Sequence, residues 1–138
     1  MVSDNKDLTQ EWWQIAYRDL ICAQTLFSVL GKMQISNVCY HCQQSAEKYL
    51  KGYLVFYGIT PEKTHDLDHL YRICREIESS FDNIADQCSE LTAYGVEPRY
   101  PLGIVLNEED AKQAIECAEA IRNFITSLVP EIKDIPDV

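Results

Sequence analysis

Between Ser36 and Tyr57 the chain carries two stripes at once, and only a helix can keep them apart. At 100° per residue, Cys39, Cys42, Ala46, Leu50, Tyr53 and Tyr57 gather on one side, the pattern of a helix facing a core. His41, Gln44, Lys48 and Lys51 gather on another side. In a chain of formal net charge -10, a row of one imidazole, one amide and two ammonium groups is unusual and suits an anion. The plain alternative is a solvated helix face, where lysine normally lies.

The same periodicity recurs along the chain. Residues 8 to 30 read as a first helix, with Leu8, Trp12, Ile15, Ala16, Cys22, Ala23, Leu26 and Leu30 inward and Gly31 at its end. Asp19 falls within that apolar face, while Trp13 and Tyr17 fall outside it and suggest a dimer surface. Residues 36 to 57 form the second helix, with Ser36 and Asn37 as candidate caps and Gly58 as the stop. Thr64 or Asp66 can cap a third helix over about 65–79, with Leu67, Leu70, Tyr71, Cys74 and Ile77 inward. A fourth spans about 82–94, with Ile84, Cys88, Leu91 and Tyr94 inward, and leads into a loop with two prolines and two glycines. Asn107 caps a fifth over 108–128, whose early Glu108, Glu109 and Asp110 suit the positive end of a helix dipole. Its apolar stripe is Ala111, Ala114, Ile115, Ala118, Ile121 and Ile125. No segment alternates with period two. The expected fold is all-α, a single domain over 1–138 built as an antiparallel up-and-down bundle of four to five helices.

Composition narrows the function. A chain of 138 residues can bury a core without staples. No apolar run approaches the ~18 residues of a membrane helix, and Met-Val-Ser-Asp-Asn-Lys-Asp lacks a signal core, so a cytosolic location is expected. The six cysteines are then expected to stay reduced, and Cys22, Cys39, Cys42 and Cys74, on apolar faces, to pack as small hydrophobes. With 22 acidic against 12 basic residues, broad nonspecific binding to nucleic acid is disfavoured, so any contact with RNA or a nucleotide must be local.

The second helix and its sequel resemble a HEPN domain, specifically the stand-alone prokaryotic proteins associated with minimal nucleotidyltransferases. The residues that carry the resemblance are Tyr40-His41, Gln43-Gln44, Ala46-Glu47-Lys48, Leu50-Lys51, Gly58-Ile59, Pro61 and Lys63-Thr64-His65-Asp66-Leu67. Ala16 to Leu20 and Pro98-Arg99-Tyr100-Pro101 support it, so that the match spans nearly the whole chain. The resemblance implies a helical bundle, usually a homodimer, in a superfamily of ribonuclease toxins, RNA-processing nucleases and nucleotide-binding modules. Active ribonucleases of that superfamily share an Arg followed four to six residues later by His. Here the arginines are 18, 72, 75, 99 and 122 and the histidines 41, 65 and 69, and none stands at that interval.

The expected ligand site is therefore a nucleotide or RNA cradle made by His41, Gln44, Lys48 and Lys51, with His65 nearby and Arg99 and Tyr100 closing from the loop. Arg can grip phosphate bidentately and Tyr can stack on a base. The plain alternative pairs Arg99 with a local carboxylate and packs Tyr100 on the bundle. Asp19 requires a partner if buried, with Arg122, His41 or a lysine as candidates. His65 and His69 have the i, i+4 spacing of metal ligands but no third ligand, and neither a metal nor a cofactor is expected. Cys39-Tyr-His-Cys42 matches C-x-x-C without the preceding strand or second motif that redox or zinc chemistry requires. Three functions remain: a binding module partnered with a nucleotidyltransferase in a toxin–antitoxin or defence pair, a ribonuclease using His41 or His65 with Arg99, and a protein-interaction module.

Overall fold

One helix is surrounded by the others. The computed structural model describes residues 2–95 and 105–137, with side chains from Asp4 onward. Helix α1 runs Val2–Leu30, α2 Ile35–Phe56, α3 Leu67–Ile77, α4 Ala85–Thr92 and α5 Glu108–Leu128, with short 3₁₀ segments at Gly31–Gln34 and Ser79–Ile84. Helix α2 packs against the other four, and fourteen of its residues are buried. The described residues contain no strand, and the fold is an all-α bundle.

Local chemistry sets the helix ends. Asp66 caps α3 by accepting from the Asp68 and His69 amides, and Asn107 with Asp110 forms a reciprocal capping box on α5. Gly58, at φ +77°, closes α2 in a Schellman motif: its N–H donates to Val55 O at 2.9 Å and that of Ile59 to Leu54 O at 3.0 Å. Gly31, at φ +50°, opens the turn between α1 and α2. The 3₁₀ turn after it feeds directly into α2, so neither Ser36 nor Asn37 is a cap, and the Asn37 amide bonds the Gln34 side chain instead.

Helices α1 and α2 form an antiparallel hairpin whose cross-links run down the seam. Thr9 Oγ1 donates to Gly52 O at 2.9 Å, Trp13 Nε1 to Tyr49 O at 3.1 Å and Ser45 Oγ to Ala16 O at 2.7 Å. Trp13 is fully buried there, so it is core and not the dimer surface expected of it. The inward face of α1 is Thr9, Trp13, Ala16, Leu20 and Ala23, while Leu8, Ile15 and Leu30 point out. Because α1 is apolar on more than one side, periodicity alone places its face about one residue off. Gly52 lets the helices meet: a Cβ there would lie 2.6 Å from the Trp13 ring and 2.9 Å from Trp12 Cβ. Tyr57, assigned to the α2 core stripe, is half exposed beyond the helix end.

All six cysteines are free, and Cys39, Cys42, Cys74, Cys88 and Cys117 are buried. Burial pushes the Cys39 thiol up to about 12, helped by Asp110, and raises that of Cys42 further, so neither half of the C-x-x-C pair supplies a thiolate at neutral pH.

The chain beyond α5 folds back and is latched. Asp134, buried, accepts from Tyr49 Oη at 2.6 Å and from Arg122 through Nε at 2.7 Å and Nη2 at 3.2 Å. The Arg122 guanidinium also stacks 4.9 Å from the Tyr17 ring centre. Burial alone would raise the Asp134 carboxyl, but hydrogen bonds from Arg122 and Tyr49 and the Arg122 charge hold it below the ordinary carboxylate range.

The Gly52 contact and the Asp134 latch can each be tested by one substitution. Gly52→Ala destabilises the protein even though alanine favours a helix by roughly 1 kcal/mol, because overpacking the Trp13 contact costs about 1–3 kcal/mol; an unshifted urea midpoint would refute the close approach. For the latch, the folded carboxyl is the weaker base, so its stabilisation is full above about pH 4 and is lost as pH falls through the lowered folded value. Asp134→Asn should cost about 1–3 kcal/mol at pH 7, with the gap to the parent narrowing in thermal melts below pH 4. A constant gap across that range would contradict the assignment.

Candidate functional site

A helix packed on all sides must satisfy its polar groups internally. On α2 the burden is heavy: Gln43, Gln44, Ser45, Glu47 and Lys51 are all buried. Among the described residues, no buried side-chain nitrogen or oxygen lacks a hydrogen-bond partner. The polar stripe of α2 is thus largely an internal seam.

Its centre is Glu47, whose carboxylate is 5% exposed. Oε1 accepts from His65 Nδ1 at 2.7 Å and Gln43 Nε2 at 3.2 Å, and Oε2 accepts from Lys51 Nζ at 3.0 Å. Gln43 also donates to His65 O at 2.9 Å, and its own oxygen accepts from Gln44 Nε2 at 2.7 Å. Lys51 cannot leave for a ligand cheaply. Stripping a buried ion pair of one partner costs about 3–5 kcal/mol, more than the about 1.5–3 kcal/mol of a charged hydrogen bond.

A second carboxylate anchors the other end. Asp19 Oδ1 accepts from His41 Nδ1 at 3.0 Å and Oδ2 from Lys48 Nζ at 2.5 Å, all three side chains being mostly covered. Asp19 is therefore paired with an imidazole and a lysine, while Arg122, the other proposed partner, binds Asp134.

His41, Lys48 and Lys51 share a helix face as the sequence indicated, yet each is committed to a carboxylate. The expected open cationic row is instead a charge-compensated one, and Gln44 and Lys51 lie beneath the surface. His65 differs. Its side chain is 66% exposed although its partner Glu47 is buried.

The backbone around His65 is held from several directions. The Asp66 amide donates to Thr64 Oγ1 at 3.1 Å, and the Leu67 amide donates to Thr92 Oγ1 at 3.0 Å. Gly95 presses on the same point: a Cβ there would lie 3.2 Å from both Gln43 Nε2 and His65 Cβ. His69 turns to Glu62, 2.9 Å away, so the two histidines of the i, i+4 pair serve separate carboxylates. Among the described residues no three metal-ligating side chains converge. Arg99 and Tyr100 lie outside the described residues.

A carboxylate can only accept, so His41 and His65 donate through Nδ1–H, whereas His69 donates through Nε2–H. This is the arrangement in which a carboxylate fixes a histidine's orientation and tautomer. Glu47 and Gln43, which organise it, belong to the family-like run but were not singled out as site residues; Thr92 and Gly95 carry no local signal. Among the described residues, a groove of about 470 Å³ lies beside Tyr17, Ile21, Leu26 and Pro136. Among the described residues no helix is long and apolar enough to cross a membrane.

The HEPN domain family model matches residues 9–128. Among solved structures, TT1696 from Thermus thermophilus is 23% identical, with a TM-score of 0.76 over 86% of this chain and 96% of its own. ST0689, an archaeal HEPN homologue, is 28% identical, with a TM-score of 0.69 over 87% of this chain and 96% of its own. No curated protein matches the chain.

Proposed function

Because this chain belongs to the HEPN domain family, we propose that it is a nucleotide- or RNA-binding module, a cytosolic homodimer that partners a minimal nucleotidyltransferase in a toxin–antitoxin or defence pair. The observation that carries the reading is the exposed His65 imidazole seated on the buried Glu47 carboxylate, with His41 held likewise on Asp19. Binding sites of this kind combine a rigid, mostly neutralised support with a few oriented polar groups. The acidic chain as a whole repels polyanions, so recognition through such local groups, and not through bulk charge, fits its composition. Lys48 and Lys51 then act as counter-charges that hold Asp19 and Glu47, and the ligand meets the imidazoles.

A second reading, metal-independent RNA cleavage, draws on the same pair, since a general base is commonly an imidazole oriented by a carboxylate. The binding reading requires no turnover. One experiment addresses both. In thermal melts across ribonucleotides and short RNAs, at least one ligand should raise the melting temperature, and His65→Ala should remove that shift, read against the variant's own ligand-free value, which falls because buried Glu47 loses a donor. No shift with any ligand sinks the binding reading. In parallel, labelled RNA should remain intact; cleavage that disappears in His65→Ala would transfer the site to the second reading.

For self-association, the outward face of α1 offers Leu8, Ile15, Cys22 and Val29 at seven-residue spacing, with Leu8, Ile15 and Val29 exposed. That spacing suits a helix meeting another helix along a seam. Sedimentation velocity should give a dimer for the parent chain and a monomer for the Ile15→Lys, Val29→Glu double variant. A parent chain that is monomeric at every concentration would exclude the homodimer.

A further inference from the structure

Resting on the homodimer reading above, we infer that two copies of this chain meet antiparallel through α1, with Leu8 of each seated in the other's groove between Ile21 and Pro136. The outward face of α1 interleaves two sets of residues at alternating spacings of three and four. Glu11, Arg18 and Thr25 form one set and Leu8, Ile15, Cys22 and Val29 the other, all within about 100° of arc. A stripe of that period lies along a second helix. It is uncovered within one copy, since Leu8, Glu11, Ile15, Arg18, Thr25 and Val29 are all exposed. Neither Glu11 nor Arg18 has an ion-pair partner among the described residues.

The charges choose the direction. Glu11 and Arg18 stand about 10 Å apart along the helix axis. In a parallel pair each Glu11 is level with the other Glu11 and each Arg18 with the other Arg18, so opposite charges never meet. Turning one copy end for end about a two-fold beside Ile15 brings Glu11 level with the partner's Arg18, and symmetry repeats the pair on the far side of Ile15. The same operation sets Leu8 over the partner's Cys22, because both lie seven residues from Ile15. At that level the groove of about 470 Å³ opens, floored by Tyr17, Ile21, Cys22 and Leu26 and walled by Pro136. Pro136 stands there because Arg122 holds Asp134 two residues earlier. Knob and groove therefore occupy opposite halves of one helix, the self-complementarity that a two-fold contact requires.

Cross-linking reads the direction. In the antiparallel pair, Leu8→Cys faces the partner's Cys22, and a disulfide forms where the two Cα atoms lie within about 7 Å. With diamide as the oxidant, full-length Leu8→Cys should give a reductant-sensitive dimer on denaturing gels, and Leu8→Cys with Cys22→Ser should give none. The other five cysteines are buried and do not compete. Sedimentation tests the charges: Glu11→Arg should weaken the dimer about tenfold by turning two ion pairs into like-charge contacts, and adding Arg18→Glu should restore the parent value. Both positions are exposed, so neither change disturbs the core. A cross-link that survives Cys22→Ser, a parent chain that cross-links through Cys22 alone, a sedimenting dimer that gives no Leu8→Cys cross-link, or a charge reversal that fails to weaken or fails to rescue would overturn the antiparallel seam while leaving the homodimer intact. A parent chain that is monomeric throughout overturns both.

Discussion

A carboxylate with almost no access to water is expensive unless donors surround it, and Glu47 sets the terms for the middle of this protein. Its two oxygens take three side-chain donors, from Gln43, Lys51 and His65. The apolar packing of α2 on four sides makes that arrangement obligatory, because a buried acceptor without a partner is costly in a low-dielectric interior. The connection after α2 must bring His65 back alongside Glu47, and the end of α4 must come close enough for Thr92 to hold Leu67 and for Gly95 to rest against Gln43. The order of helices around α2 thus follows in part from satisfying one charge.

The hairpin of α1 and α2 applies the same logic with neutral groups. Thr9, Trp13 and Ser45 each donate to a backbone carbonyl of the opposite helix. Such bonds fix axial register, which apolar contacts alone leave loose, and register is what places Asp19 opposite His41 and Lys48. Gly52 permits the close approach, so one missing side chain and three polar donors determine where the second carboxylate cluster forms.

Much of the fold was legible in the sequence because apolar repeats, Gly31, Gly58, Asp66 and Asn107 act locally. The third and fifth helices present the faces their repeats imply, with Leu67, Leu70 and Cys74 and with Ala111, Ala114, Ala118, Ile121 and Ile125 buried. The first helix was harder: Trp12 and Trp13 are adjacent, and what favours Trp13 in the core lies on the neighbouring helix, where Gly52 leaves room and Tyr49 O accepts from its Nε1. At the site, the shared face of His41, Lys48 and Lys51 was visible from spacing, whereas their commitment to Asp19 and Glu47 was not. Helical spacing reports direction, but burial of α2 on all sides is a tertiary fact. That fact turns an apparently cationic surface into paired charges and leaves His65 as the outward member.

The five buried thiols have a meaning beyond packing. Within the native bundle they are encased and largely protonated, so oxidants and alkylating agents meet little nucleophilic sulfur, and what there is lies at the half-covered Cys22. On unfolding, all six return to ordinary reactivity in a single flexible chain, where mismatched cross-links between them would bar the helices from closing up again. The folded bundle is in this sense its own antioxidant, and a chain that loses its shape in an oxidising setting has little route back.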